Sequence, residues 1–448
     1  MSALRQYLDL YRQVGDRIDA HSAPALNALR PRAARVLEDA TLPKQGTDNY
    51  ENCDLQAMLE PDYGINIDEV NLSVKPENTF RCDMPMTGES PVLCVNDRTL
   101  MPDNFPQMPD GVLVGSLRAI AKSHPEIVER YYGRLADIDN PVVALDTMLA
   151  RDGFMLYVPG NVRLEVPIQL INILSALQPL MAVRRVLVVL EDGAEARLLI
   201  CDHTQREEVN LLALQTVEIY VGRNAELHYY DLEESSQRTG RISSLYLSQE
   251  ADSRVTIDGM TLFNGTTRNE YHCRFAGENA GLRLYGMAIE DRQRKVSTYS
   301  RIDHAVPRCV SNELFKMSAD GESRCAFTGR IIVRPECVKT EAYQACRNLL
   351  AADTARIEAR PELEIYNDDV KCSHGCAIGQ LDEMQVFYMR SRGIPEPQAR
   401  LLLRQAFMAD VIDIADIPGL RDRLHLLVEK RFAGAEAACS NCGAQQRI

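Results

Sequence analysis

Four stretches decide how the middle of the chain reads: "EDGAEARL" (191–198), "GRNAELHY" (222–229), "EADSRVTI" (250–257) and "GENAGLRL" (277–284). Each opens on a Gly, Asn or Asp turn, passes through a small or charged residue, and ends in alternation with Leu, Ile or Val pointing one way. Their starts lie 27 to 31 residues apart, at positions 191, 222, 250 and 277. That spacing is the signature of a stacked repeat. A two- or three-strand unit of this length cannot bury its apolar face alone, whereas stacked units share one core. "AADTARIEA" (351–359) continues the design.

Outward from these turns, residues 153–366 consist of short segments such as "GFMLYVP", "RRVLVVLE", "TVEIYVG" and "LRLYGMAI", rich in β-branched and aromatic residues. The fold class expected is mainly β, a right-handed parallel β-helix core with helical N-terminal and C-terminal domains; an open sandwich is the alternative. The boundaries expected are 1–152 for an α-rich N-terminal domain, 153–369 for the β-helix, and 370–448 for a helical C-terminal domain with a Cys-containing tail. In that last part "LDEMQVFYMRSRGI" (381–394) has acidic residues in its first turn, arginines in its last and Gly393 as the stop. "PEPQARLLLRQAFMADVIDIA" carries an apolar stripe that includes Leu402, Leu403 and Phe407.

The whole composition narrows the function. The chain has 448 residues, 45% hydrophobic and 25% charged, with a net charge of −14. No basic footprint offers a nucleic acid or an anionic membrane a surface. No apolar run reaches membrane-spanning length and no secretory leader pattern opens the chain, so a cytoplasmic location is expected. The thirteen cysteines are then thiols, available for metal or sulfur chemistry. Those within strand patterns (Cys201, Cys273, Cys309, Cys325, Cys337, Cys346) are expected to be small buried hydrophobes. No phosphate loop, dinucleotide fingerprint, zinc-protease helix or nucleophile elbow occurs, so no directly bound nucleotide is expected. A carbohydrate-cleaving β-helix is disfavoured by the absence of tryptophan.

"YNDDVKCSHGCAIGQLDE" (366–383) places Cys372, His374 and Cys376 at alternate positions. Alternate residues of an extended segment face one side, and thiolate with imidazole suits zinc, iron or iron–sulfur species. Cys439 and Cys442 form a C-x-x-C in the tail that could complete a tetrahedral site. The same spacing also fits a buried Cys372 beside a histidine bonded to the backbone. A β-helix ending near here leaves an open last coil, which a partner continuing the sheet would cover.

"DDVKCSHGCAIGQLDEMQVFYMRSRGIPEPQARLLLRQAF" closely resembles the C-terminal signature of the SufB/SufD family, in the form its SufD branch shows: D-D-V-x-C-S-H-G, an acidic turn, then F-Y-L-R-S-R-G-I. "GVLVGSLRAIAKSHPEIVERYYG" resembles the family's upstream helical region. The resemblance implies a non-catalytic scaffold subunit of the SufBCD complex for iron–sulfur cluster assembly. It implies pairing with SufB through the β-helices and binding of the ATPase SufC through C-terminal helices, for which Phe387, Tyr388, Leu402, Leu403 and Phe407 are the residues expected. It also implies a transient iron–sulfur cluster shared with SufB, held by His374 with Cys372 beside it. Cys376 stands where the family has a small residue, and the "CSNC" tail departs from its pattern; Cys376, Cys439 and Cys442 are therefore further candidate ligands. The alternative is a stable zinc- or cluster-binding β-helix protein that self-associates as a homodimer.

Overall fold

The computed structural model describes residues 3–47, 49–50, 52–68, 91–205, 208–417 and 419–434. Two stacked sheets of ten and nine strands form the body of the molecule. The strands, numbered in chain order, begin with β1 (Val92–Val95), β2 (Arg98–Leu100), β3 (Leu113–Ser116), β4 (Gly153–Val158) and β5 (Ile168–Leu174). β6 to β14 lie between Leu180 and His304, followed by β15 (Val310–Ala319), β16 (Arg324–Val333), β17 (Thr340–Leu350), β18 (Arg356–Ile365) and β19 (Val370–Gly379). From β4 onward each strand pairs in parallel with the strand two places later. Each coil thus gives one strand to each sheet. The core is a parallel β-solenoid, and the open sandwich is set aside.

The repeated turns work as their residues suggest. Gly193, Asn224, Asp252 and Asn279, the third residue of each quoted stretch, all adopt positive φ, between 54° and 71°. Glycine takes that conformation without a Cβ clash, and Asn or Asp tolerates it best among the others. The turns also bond to one another: Gly193 N–H donates to Arg223 O, Asn224 N–H to Ala251 O, and Asp252 N–H to Glu278 O. Between the sheets, inward residues such as Leu198, Ile219, Leu227, Leu247, Ile257 and Leu284 make one continuous core.

Part of the interior is charged. Arg184 bonds Asp202, and Arg241 bonds both Asp202 and Asp231, all of them buried. Buried charges persist when they are paired and hydrogen-bonded. The alternation of the strands gives no hint of this network, because a charged residue at an inward position reads as an outward one.

The N-terminal residues supply more than helices. β1 joins β5, β2 joins β1, and β3 joins β4, so both sheets begin before the expected boundary at 152. At the other end β19 lies beyond the expected boundary at 369 and completes the larger sheet. These short segments, unpatterned by themselves, find their backbone partners on the terminal coils. Helices α1 (Ala3–Ala20), α2 (Arg30–Asp39) and α3 (Pro141–Leu149) cover the outer face of the early coils. There Leu4, Leu8, Leu37, Leu145 and Met148 pack with Met181, Val183, Leu212 and Leu214. Arg185 reaches out under α3 and bonds Asp146 at 3.2 Å and Glu218 at 2.8 Å.

Three C-terminal helices follow the last strand: α4 (Glu383–Ser391), α5 (Glu396–Ile412) and α6 (Leu420–Phe432). Asp382 caps α4 by accepting from Met384 N–H at 2.8 Å, and Gly393 ends its turn at φ 89°. α5 and α6 fold back onto the larger sheet, burying Met408, Val411, Leu424 and Leu427 against Leu199, Tyr230, Leu262 and Met287. Arg431 anchors them by donating to the carbonyls of Leu262 and Ile289. Among the described residues no helix is long and apolar enough to cross a membrane.

Candidate functional site at the open end of the solenoid

β19 is an edge strand that bonds along one side only, to β17. Cys372, His374 and Cys376 alternate along it and stand in register with Ala342, Gln344 and Cys346 of β17. Ala342 and Cys346 belong to the core between the sheets, and Cys372 packs against that core. The three candidate ligands therefore face inward, but at the last coil, where none of the described residues covers them. His374 and Cys376 are exposed and Cys372 is half-buried.

The residues behind them are buried and polar. Gln344 Nε2 donates to Glu313 Oε2 of β15 at 2.6 Å, directly under the register position of His374. Burial pushes the Glu313 carboxyl up to about 7, against the lowering effect of that hydrogen bond. Burial also raises the thiol of Cys372, opposed by a backbone hydrogen bond at Ala342. Cys376 is raised by burial and lowered by a hydrogen bond with Cys346.

Sharing a face does not make these residues a closed metal site. Alternate residues on a strand are about 6.6 Å apart, whereas ligands of one zinc ion lie about 2.3 Å from it. Among the described residues no three His, Cys, Asp or Glu side chains are grouped closely enough to hold a metal ion. Cys439 and Cys442 lie outside the described residues. The buried fates expected of Cys201, Cys273, Cys309, Cys325, Cys337 and Cys346 are all observed.

β18 is the matching edge of the smaller sheet. It contains Pro361, a residue that sheets accept at an edge because it has no N–H to donate. Around this open end Ile365, Tyr366 and Ile378 are exposed, Tyr366 by 60%. α4 adds a second apolar surface: only Val386 is buried, while Met384, Phe387 and Tyr388 are 71%, 64% and 59% exposed. Leu402 of α5 is also exposed, and Leu403 is half-buried. Phe407 turns toward the sheet, packing on the α5–α6 core with Lys316 4.9 Å from its ring centre.

The pattern of residues 172–407 matches the family model described as "SUF system FeS cluster assembly, SufBD core domain", and residues 1–170 match "SufBD protein N-terminal region". The chain belongs to the SufBD family. Within it, an iron–sulfur cluster assembly SufBD family protein of Synechocystis sp. is 28% identical over 412 residues, 90% of each chain. The iron–sulfur cluster assembly protein SufD of Bacillus subtilis is 24% identical over 431 residues, 92% of this chain and 95% of that one. The protein of the same name from Escherichia coli is 30% identical over 216 residues, 48% of this chain and 51% of its own. SufBD membership thus ties the chain to iron–sulfur cluster assembly, and the candidate ligands sit on the last strand of its solenoid.

Proposed function

We propose that this SufBD protein is the SufD-type scaffold subunit of an assembly complex. It pairs with SufB through the open end of its solenoid, and it docks SufC on α4 and the adjoining face of α5. A nascent iron–sulfur cluster is the cargo, held at the seam by His374 and Cys372 together with groups from SufB. On this reading the chain positions and does not catalyse, and ATP hydrolysis belongs to SufC.

One observation carries the reading: the solenoid ends on two unpaired edges with its soft ligands exposed at the inner face of the last strand. A bare edge is a template for strand addition from another chain. Among the described residues the ligand set is too sparse to close around a metal by itself, as a shared and reversible site requires. The exposed Met384, Phe387 and Tyr388 support a second contact away from the seam.

The test is co-purification with the matching SufB and SufC, wild type against His374→Ala, followed by anaerobic iron and sulfide counts. The expected result is an intact complex whose cluster content collapses. A variant that loads cluster normally would remove His374 from the site, and a wild type that purifies alone with stoichiometric zinc would favour the self-associating metal protein.

A further inference from the structure

Cys376 has a partner the sequence does not reveal. It lies opposite Cys346 in the β17–β19 register. Both side chains project to the same inner face, Cys346 into the core between the sheets and Cys376 toward Ala359 O of β18, 4.0 Å from its Sγ. Cys346 is fully buried and also receives a hydrogen bond from Asn348 Nδ2 at 3.3 Å, which holds its sulfur in place. Cys376 is exposed. One thiol is accessible and its neighbour is shielded directly beneath it.

We propose that Cys346 and Cys376 form a reversible dithiol–disulfide site on the last two strands of the larger sheet. Neighbouring strands run about 4.8 Å apart, inside the ~4.4–6.8 Å Cα window of disulfides but wider than their usual Cβ separation of ~3.8 Å. Closing the bond therefore draws β19 slightly toward β17. β19 can follow because its other edge is free. A bond held off its preferred geometry at an exposed position is readily reduced, which marks a reversible site and not a permanent staple.

The chemistry balances with a small-molecule disulfide as oxidant. The thiolate of Cys376 attacks one sulfur of that disulfide and releases one small thiolate. Cys346 then loses its proton, and its sulfur attacks Cys376 Sγ, expelling the small group as a second thiol. Two electrons and two protons leave the protein pair, and the oxidant becomes two thiols. Oxidation withdraws Cys376 from any metal and ties the terminal strand to its neighbour. Neither a partner chain nor a cluster is needed, so the site stands or falls apart from the scaffold reading.

Cys372 and Cys325 are the competing thiols. Cys372 shares the face of β19 but is four residues from Cys376 along an extended strand, about 13 Å away. Cys325, on β16 of the opposite sheet, is buried in the same core as Cys346.

The full-length chain, reduced and then exposed without oxygen to oxidised glutathione, tests the proposal by non-reducing proteolysis and mass spectrometry. The titratable thiol count should fall by two, with the Cys346 and Cys376 peptides cross-linked, and dithiothreitol should restore both. Cys376→Ser, a substitution at an exposed position, should abolish the cross-link and leave Cys346 free to alkylate after unfolding. Cys372→Ser should leave the cross-link unchanged. Accumulation of glutathione on Cys376 while Cys346 remains a thiol would overturn the proposal. So would a Cys325–Cys346 link, or loss of the cross-link in Cys372→Ser.

Discussion

The two ends of the solenoid are built to opposite specifications. At the first coils three helices cover the outer face of the sheet, and even a charge placed there, Arg185, is enclosed and bonded to Asp146 and Glu218. At the last coils β18 and β19 keep free edges, and eight of the ten residues of β19, all but Val370 and Cys372, are exposed, in contrast to the largely buried strands of the middle coils. The same repeat is thus covered on its outer face where it begins and left open where it ends. An uncovered end costs stability that a monomer has no reason to give up, whereas a subunit recovers it when a partner continues the sheet.

The contrast sets the order of expected effects. Arg185→Ala strands two buried carboxylates at the capped end, and should lower unfolding stability by about 3–5 kcal/mol, read from the urea midpoint at constant slope. A wild-type-like midpoint would mean that the early coils do not depend on their enclosed charge.

Glu313 lies between the two regimes, buried one strand behind Gln344 and two behind His374. Its folded carboxyl, held near 7 by burial, binds a proton more tightly than in the unfolded chain, where a glutamate titrates near ~4.3. Its stabilising contribution is therefore complete below about pH 4.3 and is lost as pH rises to about 7, a change on the order of 3 kcal/mol. Glu313→Gln should flatten that dependence, so the variant gains on wild type as pH is raised from about 5 to about 8. Urea midpoints at both ends of this range would show it, and an unchanged difference would mean that Glu313 is already ionised in the folded chain.

At the open end the effects on the isolated chain should be smallest. His374→Ala and Ile378→Asp remove exposed side chains and should each move stability by no more than about 0.5 kcal/mol. On the proposed function their effect lies in the complex: His374→Ala should empty it of cluster, and Ile378→Asp should weaken co-purification with SufB. An Ile378→Asp chain that still binds SufB at wild-type level would place the seam elsewhere. Phe387→Ala should likewise leave the fold intact while reducing SufC recovery, since α4 buries little besides Val386.

The solenoid was legible in the sequence alone. Its Gly, Asn and Asp turns need left-handed backbone, its alternation has period two, and its spacing is too short for a free-standing unit; each is a local constraint that one coil can express. The chain alone also located the first of the C-terminal helices through its acidic first turn, its arginine-bearing last turn and the Gly393 stop, and put Cys372, His374 and Cys376 on one face. What it left undetermined depends on register. Whether Gln344 lies beneath His374, or Cys346 beneath Cys376, is set by hydrogen bonds between strands about thirty residues apart, and a shift of one residue would turn every such side chain to the other face. The same holds for Arg184, Arg241, Asp202 and Asp231, whose charges suit an interior only once the facing strands bring them together. Phe407 reads as part of an apolar stripe, yet which edge of that stripe meets the sheet and which remains for a partner follows from how α5 is seated. Local backbone preference wrote the repeat; tertiary packing decided what each repeat placed next to what, because proximity across coils is not a property of any single one.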